Sequence, residues 1–198
     1  MPARARLAVF CSGFGGNLQA IMDAVLAGEL AAEIVCVISD NPQAYCLTRA
    51  RQNKIPCVLL DPQKHPSRSA MDRVILSQLQ KYQIDWAVLA GFMRLFGPQL
   101  VSAYRNRIFN IHPALLPSFP GVNAIKRAWE TKVPVTGVTV HFVDEGIDTG
   151  PIILQEEVKI APGESLESLE KRIHEVEHRL YPVVIQKVIT QHQTPNDK

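Results

Sequence analysis

The sequence predicts an α/β fold: a doubly wound, Rossmann-like, mostly parallel sheet that finishes in a C-terminal antiparallel hairpin and a long C-terminal helix. Four short apolar runs point to it first: Leu7-Ala8-Val9-Phe10, Ile34-Val35-Cys36-Val37-Ile38, Pro56-Cys57-Val58-Leu59-Leu60 and Trp86-Ala87-Val88-Leu89-Ala90. Segments of helical period separate them, and strands apolar on both faces are what a parallel sheet covered on both sides requires. After Gly97 the rhythm changes. Gly137-Val138-Thr139-Val140-His141-Phe142-Val143 alternates at period two, and a second extended run, Ile152 to Ile160, follows it as the other arm of a hairpin.

In order, Leu7 to Phe10 is the first strand and runs into Cys11-Ser12-Gly13-Phe14-Gly15-Gly16-Asn17. Leu18, Ile21, Met22 and Val25 then recur at helical spacing as far as Gly28, a suitable C-cap. The second strand leaves through Ser39-Asp40-Asn41-Pro42, a turn signal. A polar helix over 44–53, the third strand, a helix over 67–82 and the fourth strand continue the alternation. Arg107-Ile108-Phe109-Asn110-Ile111-His112 is a further strand, stopped by the turn Pro113-Ala114-Leu115-Leu116-Pro117-Ser118-Phe119-Pro120-Gly121. A helix over 123–132 precedes the hairpin, whose tight polar loop is Asp144-Glu145-Gly146-Ile147-Asp148-Thr149-Gly150-Pro151. One amphipathic helix is predicted over 165–191, with Pro182 a tolerated interruption, and then a frayed tail over 194–198.

Hydrophobic residues make up 46% of the 198 and charged residues 20%, enough for one core without disulfide or metal staples. No linker or repeat divides the chain, so a single domain over 1–198 is expected. Twenty-one Lys and Arg against 19 Asp and Glu leave a formal charge of +2, which gives no basic footprint for nucleic acid and no polybasic face for a membrane. No apolar run nears the ~20 residues of a membrane span. The N-terminus lacks a signal-peptide core, so a cytoplasmic protein is expected. Cys11, Cys36, Cys46 and Cys57 show no C-x-x-C spacing and read as small buried hydrophobes, with no metal site.

Several segments carry candidate chemistry. A glycine-rich turn between a first strand and a helix can hold a phosphate on backbone N–H groups. Ser12-Gly13-Phe14-Gly15-Gly16-Asn17 lacks the G-x-G-x-x-G dinucleotide spacing, and a plain structural turn remains the other reading; Asp40 sits near the end of strand two but is no obvious ribose ligand. Asn110 and His112 stand two apart on a strand and so share a face, at the carboxyl end where open α/β sheets bind ligands. An amide donor beside an imidazole suits acyl transfer. A strand-end histidine by itself is more often a structural hydrogen-bonder than a catalyst; the rigid proline turn behind it is what points to catalysis. Asp148 is placed either to pair with His112 or to serve the hairpin turn alone. Ala90-Gly91-Phe92-Met93-Arg94-Leu95-Phe96 suits one wall of a pocket for a flat heteroaromatic ligand. His141, alternating with apolar neighbours, reads as a satisfied sheet residue, and His178 as solvated.

Taken together, Phe109-Asn110-Ile111-His112-Pro113-Ala114-Leu115-Leu116-Pro117, Gly137-Val138-Thr139-Val140-His141 and Asp148-Thr149-Gly150-Pro151-Ile152-Ile153 resemble the folate-dependent formyltransferases. The glycine turn through Ile21 and Ala90 to Arg94 extend the resemblance over about residues 7–190. It implies formyl transfer from 10-formyltetrahydrofolate as co-substrate and, within the family, is closest to the branch that formylates glycinamide ribonucleotide. By that resemblance His112 is the catalytic histidine, Asn110 donates to the oxyanion, and Asp148 favours the protonated imidazole and organises a proton relay. Gly15, Gly16, Asn17 and Glu177 are implied on the ribonucleotide side, and residues 7–60 become the phosphate-binding part. Arg68, Met93, Arg94, Leu95, Phe96, Asn110, Asp144, Glu145, Gly146 and Ile147 are implied at the folate, within a catalytic and folate-binding part over 86–160. Direct attack without a covalent formyl-enzyme, no metal, and a monomer or weak homodimer are expected.

Two departures stand out. Gly16 occupies a position where many family members carry serine, and Asn123-Ala124-Ile125 lacks histidines that some place there. Other branches fit less well. The deformylases usually carry an N-terminal regulatory domain, and the methionyl-tRNA enzymes a C-terminal barrel; sugar N-formyltransferases and a non-catalytic nucleotide- or folate-binding module are the remaining rivals.

Overall fold

Strand register fixes the architecture. β1 (Ala5–Phe10) pairs in parallel with β2 (Ala32–Ser39) on one side and with β4 (Trp86–Leu89) on the other, so the chain begins mid-sheet. β2 continues to β3 (Cys57–Leu59) and β4 to β5 (Ile108–His112), both parallel. β6 (Val135–Phe142) and β7 (Ile152–Lys159) then add antiparallel, giving the order β3-β2-β1-β4-β5-β6-β7. This is the predicted doubly wound sheet with its terminal hairpin. The computed structural model describes residues 4–65 and 67–193; the tail over 194–198, expected to fray, lies outside them.

Alternation along the central strands builds two cores. Leu7, Val9, Trp86 and Val88 face one side, where α1 (Gly16–Ala27), α2 (Tyr45–Gln52), α5 (Ala124–Glu130) and α6 (Leu166–Gln193) cover them. Ala8, Phe10, Ala87 and Leu89 face the other, under α3 (Arg68–Lys81) and α4 (Pro98–Ala103). In β2 the alternation slips by one residue, because Leu7 pairs with Ile34 but Ala8 with Cys36, a bulge that leaves Val35 unopposed. α1 ends, as expected, on a left-handed Gly28.

α4 is the element the sequence pattern does not reveal. It has six residues, too few for a period to show, and opens with Pro98 in its first turn. The buried Asp72 of α3 supplies what it lacks locally: its carboxylate accepts from the N–H of Gly97 at 2.8 Å and of Leu100 at 3.2 Å. α6 runs unbroken through Pro182, held where Tyr181, fully buried, donates its hydroxyl to the carbonyl of Leu89 at 2.8 Å. Among the described residues no helix is long and apolar enough to cross a membrane.

The turn after β5 is fixed from behind by β6. The Thr139 hydroxyl donates to the Ala114 carbonyl at 2.6 Å and accepts from the Leu116 N–H at 3.1 Å and Gln155 Nε2 at 2.9 Å. Gly137 on the same strand is obligatory, because a Cβ there would lie 2.1 Å from the Glu156 carbonyl oxygen. Thr139→Val keeps the shape but leaves the buried Ala114 carbonyl and Leu116 N–H without this partner, while Gln155 Nε2 keeps its bond to the Leu116 carbonyl. We expect a loss of about 1–3 kcal/mol, seen calorimetrically as a Tm lower by several degrees; an unchanged Tm would show that the turn stands without this hydroxyl.

Candidate active site

Phe10, Leu89 and Asn110 are register partners across β1, β4 and β5. Phe10 ends β1 and Leu89 ends β4, so the glycine turn, the segment after β4 and the Asn110–His112 pair all emerge at one edge of the sheet. Between β1 and β4 the winding direction reverses, the crevice where open α/β sheets take ligands.

Asn110 and His112 do project together, and Asp148 folds back from the hairpin loop to meet both. Asn110 Nδ2 donates to Asp148 Oδ1 at 3.2 Å; Asp148 Oδ2 accepts the Gly121 N–H at 2.7 Å and lies 3.3 Å from His112 Nδ1. The other ring nitrogen of His112, Nε2, faces the Phe119 carbonyl at 2.8 Å. A ring protonated on both nitrogens donates to both neighbours. His141 joins the cluster as well. Its Nδ1 donates to its neighbour's carbonyl, Phe142, at 2.8 Å, and its Nε2 lies 3.1 Å from Asn110 Nδ2 and 3.6 Å from Asp148 Oδ1. It is satisfied, as the sequence suggests, but by a catalytic candidate.

Burial works against a charge on Asp148, yet the His141 imidazole, the Gly121 N–H and the neighbouring charge of His112 outweigh it and hold the carboxyl at about 2, against an ordinary 3.8. Asp148 itself sits at φ +55°, a left-handed conformation that aspartate tolerates. The glycines beside it serve the loop's own closure. A Cβ on Gly150 would meet the Phe142 carbonyl oxygen at 1.9 Å, and one on Gly146 the Thr149 hydroxyl at 2.0 Å. Asp144 Oδ1 closes the loop by accepting from the Gly146 N–H and the Thr149 hydroxyl. Glu145 and Ile147 are exposed.

On the other side of Asn110, α1 opens on a left-handed Gly15 with no side-chain cap and no acidic residue in its first turn. Its initial N–H groups and the helix dipole therefore face the crevice uncompensated. Asn17 Oδ1 is buried there without a hydrogen-bond partner. α6 supplies the opposite wall: buried Glu177 accepts from His174 Nδ1 at 2.8 Å, a bond that raises the pKa of His174. Next to it, His178 Nε2 stands 2.5 Å from where a Gly16 Cβ would be. Arg49 braces the turn from below, its Nε donating to the Phe14 carbonyl at 3.0 Å and its guanidinium lying over the Phe14 and Tyr45 rings.

The segment after β4 divides. Met93 is 70% exposed and Leu95 is also open, whereas Phe96 turns into the core, edge-on to Phe10 at 5.0 Å. Arg94 is committed to Asp40, with Nε donating to Oδ2 at 2.7 Å. Arg68 opens α3 with an exposed side chain, one turn before the Asp72 that pins Gly97. So α3 and the end of this segment are tied together.

The formyl transferase family model matches residues 5–185. The chain belongs to the formyl transferase family. The phosphoribosylglycinamide formyltransferase of Bacillus subtilis (strain 168) is 41% identical over 184 residues, covering 93% of this chain and 94% of that protein. A crystal structure of phosphoribosylglycinamide formyltransferase from Bacillus halodurans superposes with a TM-score of 0.92 at 47% identity, over 98% of this chain and 100% of that one. Glycinamide ribonucleotide transformylase 1 from Geobacillus kaustophilus superposes at 0.91 with 51% identity, over 93% and 98% of the two chains.

In this formyl transferase the residues that pattern reading passes over are His141, Asp72 and His178. A histidine in an alternating strand, an acid in an amphipathic helix and an exposed helical histidine carry no local signal; only strand register and helix packing bring them to the site. The depressed Asp148 sets a pH dependence. Its ionised form stabilises the fold above the unfolded carboxyl value, and that stability is lost as pH falls from about 4 through about 2. Urea titrations at pH 5 and pH 2 should give a smaller difference in unfolding free energy for Asp148→Asn than for the unsubstituted protein, by on the order of 2 kcal/mol. Equal differences would mean that the carboxylate is not held by its neighbours.

Proposed function

We propose that the protein transfers the formyl group of 10-formyltetrahydrofolate to the amine of glycinamide ribonucleotide, yielding formylglycinamide ribonucleotide and tetrahydrofolate for purine biosynthesis. The observation that carries this is the joining of Asn110, His112 and Asp148 at the crevice between an uncapped glycine turn and an exposed apolar segment. The chain-length similarity to proteins named for this reaction supports it.

On the ribonucleotide side, the N–H groups of Gly16 and Asn17 at the start of α1 would take the phosphate. The unpartnered Asn17 Oδ1 accepts from a donor on the substrate, and Glu177 offers its carboxylate to sugar hydroxyls. On the folate side, Met93, Leu95 and Ile147 present apolar surface to a flat ring, with the backbone of Arg94 to Phe96, the loop Asp144 to Gly146, and Arg68 around it.

The unprotonated amine attacks the formyl carbon directly. The new N–C bond forms, the carbonyl oxygen takes the electron pair, and collapse of the tetrahedral intermediate breaks the bond to the folate nitrogen. The amine gives up one proton and the folate nitrogen gains one. Asn110 Nδ2 and His112 are the donors for the negative oxygen. Without substrate Asn110 Nδ2 lies against Asp148 and His141, and His112 Nε2 against the Phe119 carbonyl. The neutral Phe119 carbonyl is the acceptor that an oxyanion displaces most readily. Asp148, ionised at neutral pH, balances the charge on His112 and orders the proton relay. Because the amine attacks the formyl carbon itself, no formyl-enzyme forms.

The test is spectroscopic: the protein is mixed with 10-formyl-dideazafolate, and deformylation is followed with and without glycinamide ribonucleotide. Deformylation that requires the ribonucleotide is expected, and deformylation without it would make the protein a hydrolase. Asn110→Ala and His112→Ala should each lower kcat by about 10²–10³-fold while ribonucleotide affinity, measured by titration calorimetry, stays close to that of the unsubstituted protein.

A further inference from the structure

We propose that Asp40 is a positioning residue that locks the ribonucleotide turn to the folate segment, so that both substrates depend on a side chain that touches neither. This builds on the reading of the two subsites above. Asp40 follows the last residue of β2, and its side chain is only 9% exposed. Oδ1 accepts from the Ser12 hydroxyl at 2.6 Å, in the glycine turn; Oδ2 accepts from Arg94 Nε at 2.7 Å, in the segment after β4. Both distances are those of charge-assisted bonds.

The arrangement has a fixed polarity. The Ser12 oxygen accepts the N–H of Met93 at 3.0 Å, so its single proton must go elsewhere, and Asp40 is where it goes. The backbone runs the same way: the Ser12 N–H donates to the Gly91 carbonyl at 3.0 Å, and Asn41 Nδ2 donates to the Ser12 carbonyl at 3.2 Å. Met93 is therefore aimed by a hydroxyl that Asp40 aims. An acidic residue near the end of the second strand serves as a ribose ligand in dinucleotide-binding sheets. Here both carboxylate oxygens reach across β1 instead, to the turn that leaves it and to the segment that leaves β4.

An amide cannot replace this carboxylate. Asparagine has one acceptor oxygen, so its NH₂ would face either Ser12 or Arg94. Asp40→Asn should raise KM for glycinamide ribonucleotide and for the formyl-folate together, each by about tenfold, with kcat changed by less than about threefold. Ser12→Ala, which spares the Asp40–Arg94 pair, should raise both as well and serves if Asp40→Asn does not fold. Arg94→Gln should raise the ribonucleotide KM in the unsubstituted protein but add nothing in Asp40→Asn, a coupling that general loss of stability does not produce. A rise in only one KM, or in neither, overturns the proposal.

A ligand-free readout separates this from the assigned reaction. By amide hydrogen exchange, residues 12–17 and 91–96 should lose protection together in Asp40→Asn; loss in one segment alone, or in neither, also overturns it. Formyl transfer by the unsubstituted protein tests the reaction independently of either result.

Discussion

The carboxylate of Asp148 is the point on which the site depends. It accepts from Asn110 on β5 and from Gly121 in the turn behind it, and it pairs with His112, so one short loop residue ties both β5 and the turn to the hairpin loop. Every arrangement around it follows from keeping that carboxylate charged in a half-buried place. His141 is turned toward it by its own bond to a neighbouring carbonyl, and two glycines let the loop fold tightly enough to deliver it. An acid left in such a place without these donors would take up a proton instead.

The sheet supplies the second constraint. Because β1 and β4 end level with Asn110, the two substrate-facing segments cannot help but flank the catalytic pair. Their finer placement depends on polar side chains brought in from elsewhere: Asp40 from the end of β2, Asp72 from α3, Arg49 from α2 and Glu177 from α6. The strands set the distances between segments, and the helices set their orientation.

Much of this was legible in the chain itself. The apolar and extended runs and the helical segments predict every strand and all helices but α4, whose six residues are too few to leave a period in the sequence. Asn110 and His112 could be picked out because they share a strand face ahead of a proline turn; the loop alone left Asp148 a turn residue, and the resemblance to the formyltransferases is what joined it to the histidine. What the sequence concealed was long-range. The pairing of His141 with Asn110 follows from antiparallel register, the capping of α4 by Asp72 from two helices packing side by side, and the turn of Phe96 into the core from its fit against Phe10. None of these leaves a local mark.

The contact between Gly16 and His178 carries a consequence for how this sequence can drift. Residues 16 and 178 lie at opposite ends of the chain, yet the imidazole fills the space that a side chain at 16 would need. A serine introduced at 16 would meet the tip of an exposed side chain rather than backbone, so the imidazole can rotate away to admit it. The two positions are coupled through the rotamer of one ring: a substitution at 16 is felt first as a change in where the His178 ring sits.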